Sequence, residues 1–177
     1  MRRLGAIIAG GQSLRFGADK AQAMLGRRAL IDHVAGHLEA QCETVIICGR
    51  AWGSRVSVTD RPAPGLGPLG GLCAALHYGA TQGFDMVVTA GCDTLPVPEM
   101  PVGRREAVVA ADHYLFGVWP VALARQLDTH LATTQDRSMR HWIAVSGARQ
   151  VEVAATLHNL NTQADFRHYA QIQGLAA

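Results

Sequence analysis

A glycine-rich segment with two basic residues is the part of the sequence best suited to chemistry. Gly10 and Gly11 follow an apolar run, and Arg15 and Lys20 come shortly after them. Adjacent glycines let the backbone turn sharply, and successive N–H groups can then form an anion-binding concavity. The glycines alone would favour an ordinary turn. With Arg15 and Lys20 supplying positive charge just beyond a predicted strand, the pattern favours a phosphate site. The G-K-[ST] of a Walker A motif is missing.

Two aspartates follow later strands and are candidates for the same site. Asp60 ends a predicted strand over 56–59, and Asp93 follows the run Met86–Ala90. Open parallel sheets bind ligands beyond the carboxyl ends of their strands. A carboxylate there suits Mg²⁺, which takes one or two carboxylates together with phosphate oxygens. From the residues alone, an equally weighted alternative is that Asp93 caps a helix, since Asp-Thr-Leu-Pro also begins helices.

A second glycine-rich stretch, residues 65–70, satisfies G-x-G-x-x-G and could indicate a dinucleotide-binding turn. The stretch lies in the middle of the chain, and Pro68 interrupts it. No acidic residue ends the next strand in the position that would bind a ribose. The dinucleotide interpretation is therefore disfavoured.

Two further pairs of polar residues have to be weighed. Asn159 and Asn161 would point the same way in an extended segment, and their amides can donate and accept hydrogen bonds. Without other information, roles in capping and turns explain them more simply. His33 and His37 have the i, i+4 spacing of a metal pair, but a solvated helix face is the favoured interpretation.

Apolar runs of strand length alternate with amphipathic patterns. The strand candidates are 4–9, 44–48, 56–59, 86–90, 107–111 and 114–119, and the helix candidates begin near Leu30, Leu69, Val121, Met139 and Thr162. This alternation predicts an α/β fold, a mostly parallel sheet with helices on both faces. The strand candidate 114–119 follows the candidate 107–111 too closely for the crossover connection that two parallel strands need, so it should be antiparallel to its neighbour.

The composition limits the classes of protein. The 177 residues carry a net charge of +2, 49% hydrophobic and 17% charged residues, which fits one globular domain over 1–177. There is no basic run, so we expect no nucleic-acid binding. No apolar stretch reaches the roughly 20 residues that span a bilayer, so we expect no membrane insertion. Four cysteines without C-x-x-C spacing suggest reduced, buried thiols and a cytoplasmic location.

The segment 8–20, read as IAGG-x3-R-x-G-x-DK, resembles the signature loop of the MobA-like nucleotidyltransferases. Other motifs of that family follow in the same order: Asp60, the Gly67-Pro68 loop with Gly71, Cys92-Asp93, and Asn159-x-Asn161-Thr. The resemblance extends from about residue 4 to residue 172. It implies a three-layer, Rossmann-like nucleotidyltransferase fold.

The resemblance also implies roles for individual residues. The implied nucleotide-binding residues are Ile8, Ala9, Gly10, Gly11, Lys20, Asp60, Gly67, Pro68, Gly71 and Asp93. Arg15, Lys20 and Asp93 would be catalytic, with Asp93 holding Mg²⁺. Asn159 and Asn161 would contact a pterin substrate.

The family members that match best imply transfer of GMP from GTP to the terminal phosphate of molybdopterin, with release of pyrophosphate. Molybdoenzymes or other cofactor-biosynthesis proteins would be the protein partners, and we expect a monomer. The family often carries a base-reading Asn after the second strand, where this chain has Cys48-Gly49-Arg50. A thiol forms only weak hydrogen bonds, so two alternatives stay open: a cytidylyltransferase using CTP, and a non-catalytic protein that binds a nucleotide or cofactor.

Overall fold

The structure, a computed structural model, describes residues 1–10, 19–101 and 105–175. Its strands are β1 (Arg3–Ile8), β2 (Met24–Leu25), β3 (Arg28–Ala29), β4 (Thr44–Cys48), β5 (Ser57–Val58), β6 (Met86–Gly91), β7 (Thr94–Leu95), β8 (Val108–Ala110), β9 (Gly117–Pro120), β10 (Arg149–Val151) and β11 (His158–Asn159). Its α-helices are α1 (Leu30–Glu39), α2 (Pro68–Thr81), α3 (Ala124–Thr133), α4 (Met139–Ser146) and α5 (Gln163–Ile172). The predicted α/β alternation is therefore confirmed.

Seven strands form the central sheet in the order β10-β8-β9-β6-β1-β4-β5. Strand β1 is parallel to both β4 and β6, whereas β9 is antiparallel to β6 and β8. The predicted antiparallel member is thus confirmed. After β1 the chain builds β4 and β5 on one side and then returns to place β6 on the other. This reversal creates a switch point at the carboxyl ends of β1 and β6, where open α/β sheets bind ligands.

Both faces of the sheet are covered, because the central strands carry apolar side chains on each face. Ile47 and Val88 pack with α1 and α5, whereas Ile46 and Val87 pack with α2, α3 and α4. All six residues of β6 are buried. The alternation of side chains between two apolar layers explains why these strands read as unbroken hydrophobic runs.

Several short elements were not predicted, because two or three residues show no periodicity. They are the edge strand β10, the pair β7–β11 and the hairpin β2–β3. Strand β7 directly follows Asp93, so the alternative that Asp93 caps a helix is wrong. The predicted capping box of α5 is confirmed, with Thr162 and Asp165 bonding each other's backbone N–H groups.

Of the His33–His37 pair, only His37 lies on a solvated helix face as the favoured interpretation predicted, whereas His33 is partly buried. His33 Nε2 lies 2.8 Å from the carbonyl oxygen of Leu25, and His37 is exposed. Burial of part of the ring and the neighbouring His33 lower the pKa of His37. Among the described residues, no helix is long and apolar enough to cross a membrane.

Candidate active site

A cavity of about 260 Å³ opens where β1, β5 and β6 end. The predicted residues on its wall are Ile8, Gly10, Lys20, Asp60, Gly67, Pro68 and Asp93. Among the described residues, Gly65, Cys92 and Leu115 also line it. Residues far apart in the sequence therefore meet at the switch point, where the topology predicts a binding site.

Lys20 lies on the cavity wall in a short 3-10 turn over Lys20–Gln22. Its side chain is only 10% exposed. The Nζ atom donates a hydrogen bond of 2.6 Å to Asn161 Oδ1 and lies 3.6 Å from Asp93 Oδ2. A buried ammonium is costly unless it has partners, and these two groups supply them. Lys20 is also the only lysine of the chain.

An ion pair that the sequence did not reveal supports the turn bearing Lys20. Both oxygens of Asp19 accept hydrogen bonds from the guanidinium of Arg50, one of them over 2.7 Å. The hydrogen bond from Arg50 holds the pKa of Asp19 below its ordinary value. Asp19 Oδ1 also accepts from the N–H of Ala21, which caps the turn. Arg50 therefore fixes the residue that precedes Lys20, and bidentate geometry makes the contact directional.

Asp93 lies just beyond β6 with its side chain 36% exposed. Its backbone carbonyl accepts a 2.7 Å hydrogen bond from Leu160, and its Oδ1 lies 3.3 Å from the Thr94 hydroxyl. That hydroxyl donates to Asn159 Oδ1 over 2.6 Å. The C-terminal segment thus anchors the loop of Asp93, while carboxylate lone pairs remain available on the cavity side.

Asp60 reaches the cavity between two glycines. A Cβ built at Gly10 would lie 3.5 Å from Asp60 Oδ2, and one at Gly49 would lie 3.3 Å from Oδ1. Burial raises the pKa of Asp60. Its carboxylate can therefore accept hydrogen bonds from a bound ligand at a site where water competes less.

Gly49 brings the loops after β1 and β4 into contact. Its φ is +85°, and a Cβ there would lie 2.5 Å from Gly10 Cα. Cys48, in contrast, is fully buried and packs on the α2 side of the sheet, outside the cavity wall. Burial, followed by the charge of Asp60, raises the pKa of Cys48 to about 12. The thiol therefore faces the core and not the cavity.

Replacing Gly49 with alanine should lower the free energy of unfolding more than the same change at Gly53. Both residues have positive φ, but nothing lies within 4 Å of a Cβ built at Gly53. The Gly53 variant therefore measures the cost of the positive φ alone. The overlap with Gly10 should cost the Gly49 variant about 1–3 kcal/mol more. Urea denaturation of the two variants measures the difference. Equal losses would show that the two loops separate without cost.

The remaining predicted nucleotide-binding residues are not on the cavity wall or are not described. The Ala9 N–H donates to the carbonyl oxygen of Cys48 over 3.0 Å, just beyond the end of β1. A Cβ at Gly71 would lie 3.2 Å from Ile8 side-chain atoms, so this glycine allows close packing of α2 on β1. Gly11 and Arg15 lie outside the described residues. Their roles stay predictions.

A second cavity of about 230 Å³ adjoins the first and shares Asp93 and Leu115 with it. Its other lining residues are Gly91, Thr94, Asp112, His113, Tyr114, Phe116 and Asn159. The two predicted pterin residues are thus separated: Asn159 lines this cavity, whereas Asn161 contacts Lys20. The turn between β8 and β9, which supplies Leu115, was not predicted, because the strand was expected to begin at residue 114 and begins at Gly117.

Comparison with known proteins decides the family. The family described as MobA-like NTP transferase domain matches residues 5–155, most of the chain. The chain belongs to this family. It is therefore a nucleotidyltransferase.

Individual relatives agree with this assignment. A molybdenum cofactor guanylyltransferase of Rhizobium leguminosarum bv. trifolii is 36% identical over 78% of this chain and 73% of its own. One from Rhodobacter capsulatus is 34% identical over 93% of each chain. Among solved structures, molybdopterin-guanine dinucleotide biosynthesis protein A of Archaeoglobus fulgidus superposes with a TM-score of 0.71 at 18% identity, covering 97% of this chain and 98% of its own. That likeness confirms the predicted Rossmann-like nucleotidyltransferase fold.

Proposed function

We propose that this chain transfers GMP from GTP to the terminal phosphate of molybdopterin and releases pyrophosphate. The observation that carries the proposal is the pair of adjoining cavities, which share Asp93 at the switch point. One cavity can hold the nucleotide and the other the acceptor, so the reacting phosphates would meet beside one carboxylate. The relatives named as molybdenum cofactor guanylyltransferases support this choice of substrates.

The first cavity suits a nucleoside triphosphate. Gly10 presents backbone without a side chain, and Lys20 supplies a buried positive charge for phosphate oxygens. Asp60 can accept hydrogen bonds from the ribose or the base. In this arrangement Lys20 would exchange its contact with Asn161 for a phosphate oxygen, while remaining within reach of Asp93.

A divalent cation fits the same position. Asp93 offers a hard, partly exposed carboxylate on the cavity wall, and Mg²⁺ is commonly held by one or two carboxylates with phosphate oxygens and water. Asp93 would therefore hold the ion. When bound, Mg²⁺ neutralises phosphate charge and orients the leaving pyrophosphate.

The transfer needs no side-chain nucleophile. An oxygen of the acceptor phosphate attacks the α-phosphorus of GTP, and the bond from that phosphorus to the bridging oxygen breaks. Among the described residues that line the first cavity, only Cys92 carries a thiol. Burial, followed by the charge of Asp93, raises the pKa of Cys92 to about 11. Its weak nucleophilicity at neutral pH suits a direct transfer. Positioning and charge neutralisation by the chain would supply most of the acceleration.

Pyrophosphate release tests the proposal directly. The purified protein is incubated with Mg²⁺, molybdopterin, and either GTP or CTP. Release with GTP well above that with CTP is expected. A preference for CTP would instead make the chain a cytidylyltransferase, and no release with either nucleotide would contradict transfer to molybdopterin.

Replacing Asn159 with alanine should raise the KM for molybdopterin by about tenfold and leave the affinity for GTP unchanged. Asn159 lines only the second of the two cavities, and one lost hydrogen bond costs about 1 kcal/mol or slightly more. The matched variant Asn161→Ala removes a partner of Lys20 and should alter GTP affinity as well. Steady-state kinetics and GTP titrations separate the two. An unchanged KM for molybdopterin in Asn159→Ala would contradict the assignment of the second cavity.

A further inference from the structure

Three potential metal ligands meet between α2 and α3, outside the walls of both cavities. Cys73 and His77 lie on α2 and Asp128 lies on α3, and one ligand atom from each lies within 4.8 Å of the other two. The Cys73 thiol is 3.2 Å from Asp128 Oδ1, and His77 Nε2 is 2.8 Å from Asp128 Oδ2. None of the three lines either cavity of the candidate active site.

The helices hold these side chains in place. Cys73 and His77 are four residues apart, so they project from the same face of α2, one turn above the other. Helix α3 packs against α2 and brings Asp128 to this face. Cys73 is fully buried, while the side chains of His77 and Asp128 are 26% and 37% exposed. The cluster therefore has an apolar base and an opening to solvent.

We infer that Cys73, His77 and Asp128 together bind a zinc ion. Sulfur, imidazole nitrogen and carboxylate oxygen are all ligands that zinc accepts, whereas Mg²⁺ prefers oxygen alone. Three protein ligands leave a fourth position, which faces the solvent opening and takes a water molecule. His77 Nε2 and Asp128 Oδ2, which contact each other in the structure, would each bind the ion instead, so little movement of the helices is needed.

Charge and proton balance are consistent with this site. The Cys73 thiol loses its proton when sulfur binds the ion, and that proton leaves to solvent. His77 binds through a neutral Nε2 and Asp128 through its carboxylate, so the ligands carry two negative charges against the two positive charges of zinc. Arg61 also contacts the cluster and interacts with Cys73 and Asp128. Its exposed side chain would have to move outward.

A hydrogen-bonded link between α2 and α3 is the competing explanation for the cluster. Under that explanation the three side chains stabilise the helix pair without binding any ion. The two explanations differ in whether zinc binds to the isolated protein, which can be measured without assaying catalysis.

Zinc titration of the chelator-treated protein, followed with a chromophoric competitor, tests the inference. One tight zinc ion per chain is expected, with affinity lowered by at least about 100-fold in His77→Gln and Asp128→Asn, since losing a direct ligand should cost no less than losing its outer partners. Cys42→Ser and Asp93→Asn are matched controls at a thiol and a carboxylate outside the cluster, and both should retain the ion.

Cobalt substitution provides the second measurement. Co²⁺ bound to the wild-type protein should show thiolate-to-metal charge-transfer absorption, and Cys73→Ser should lose it. If Cys73→Ser does not fold, the partly exposed His77→Gln and Asp128→Asn still decide the question by titration. Absence of tight zinc binding in the wild type, or equal binding in the cluster variants and the controls, would overturn the site and leave the proposed transfer reaction untouched.

Discussion

Replacing Lys20 with alanine should weaken GTP binding by roughly 100-fold or more, because a buried charge that pairs with a ligand is worth several kcal/mol. The ammonium lies on the cavity wall with only 10% of its side chain exposed, where water screens its attraction to phosphate weakly. Isothermal titration with GTP measures the loss. Lys20→Arg keeps the charge and should recover part of the affinity.

Because the chain contains a single lysine, NMR provides a second test of this prediction. With lysine labelled by ¹⁵N, the wild-type chain has one side-chain ammonium signal, that of Lys20. This signal should shift on addition of GTP and much less on addition of guanosine, since only the triphosphate meets the ammonium. Equal shifts with both ligands, or undiminished GTP affinity in Lys20→Ala, would contradict the role assigned to Lys20.

Replacing Asp93 with asparagine should lower kcat by roughly 1,000-fold while GTP still binds. This loss is at the upper end of what removal of one electrostatic group from an active site costs. The substituted amide would keep the shape of the loop, but it cannot supply the charge that holds Mg²⁺. Without the metal, GTP should bind the variant as tightly as the wild type or more tightly, because a negative charge beside the triphosphate is gone. Single-turnover kinetics and GTP titration with and without Mg²⁺ measure these effects.

Asp85 provides the matched control for Asp93. The two aspartates flank the same strand, β6, at opposite ends, and Asp85 binds the backbone N–H of Arg2 over 2.7 Å instead of facing the cavity. Asp85→Asn should therefore keep nearly full turnover, at a small cost in stability. If Asp93→Asn weakened metal-free GTP binding as much as Lys20→Ala does, Asp93 would have to act in binding and not in turnover.

Patterns that repeat over many residues made most of the fold predictable. The unbroken apolar runs of β4 and β6 indicate strands covered on both faces, and the capping box before α5 marks its first turn. The positions of Lys20, Asp60 and Asp93 at one cavity also follow from the sequence, because each comes after a strand of a mostly parallel sheet.

The unpredicted parts depend on contacts between distant residues. The pairing of Arg50 with Asp19 joins two loops that neither composition nor spacing connects. Cys48 was compared with a base-reading asparagine, yet its side chain points into the core, because the direction of a strand's last residue depends on the sheet register. The separation of Asn159 from Asn161 has a similar origin: β11 pairs with β7 and ends at Asn159.

The reversed strand β9 has a consequence for how acceptor specificity can change. Because β9 is antiparallel to β6, the turn that precedes it, residues 111–116, reaches the ligand edge of the sheet and supplies Leu115 to both cavities. Such a surface turn can change in length or sequence at little cost to the strands that flank it. Selection, or a protein engineer, could therefore exchange this one loop to admit a different acceptor, while Lys20, Asp60 and Asp93 of the first cavity stay in place on other loops.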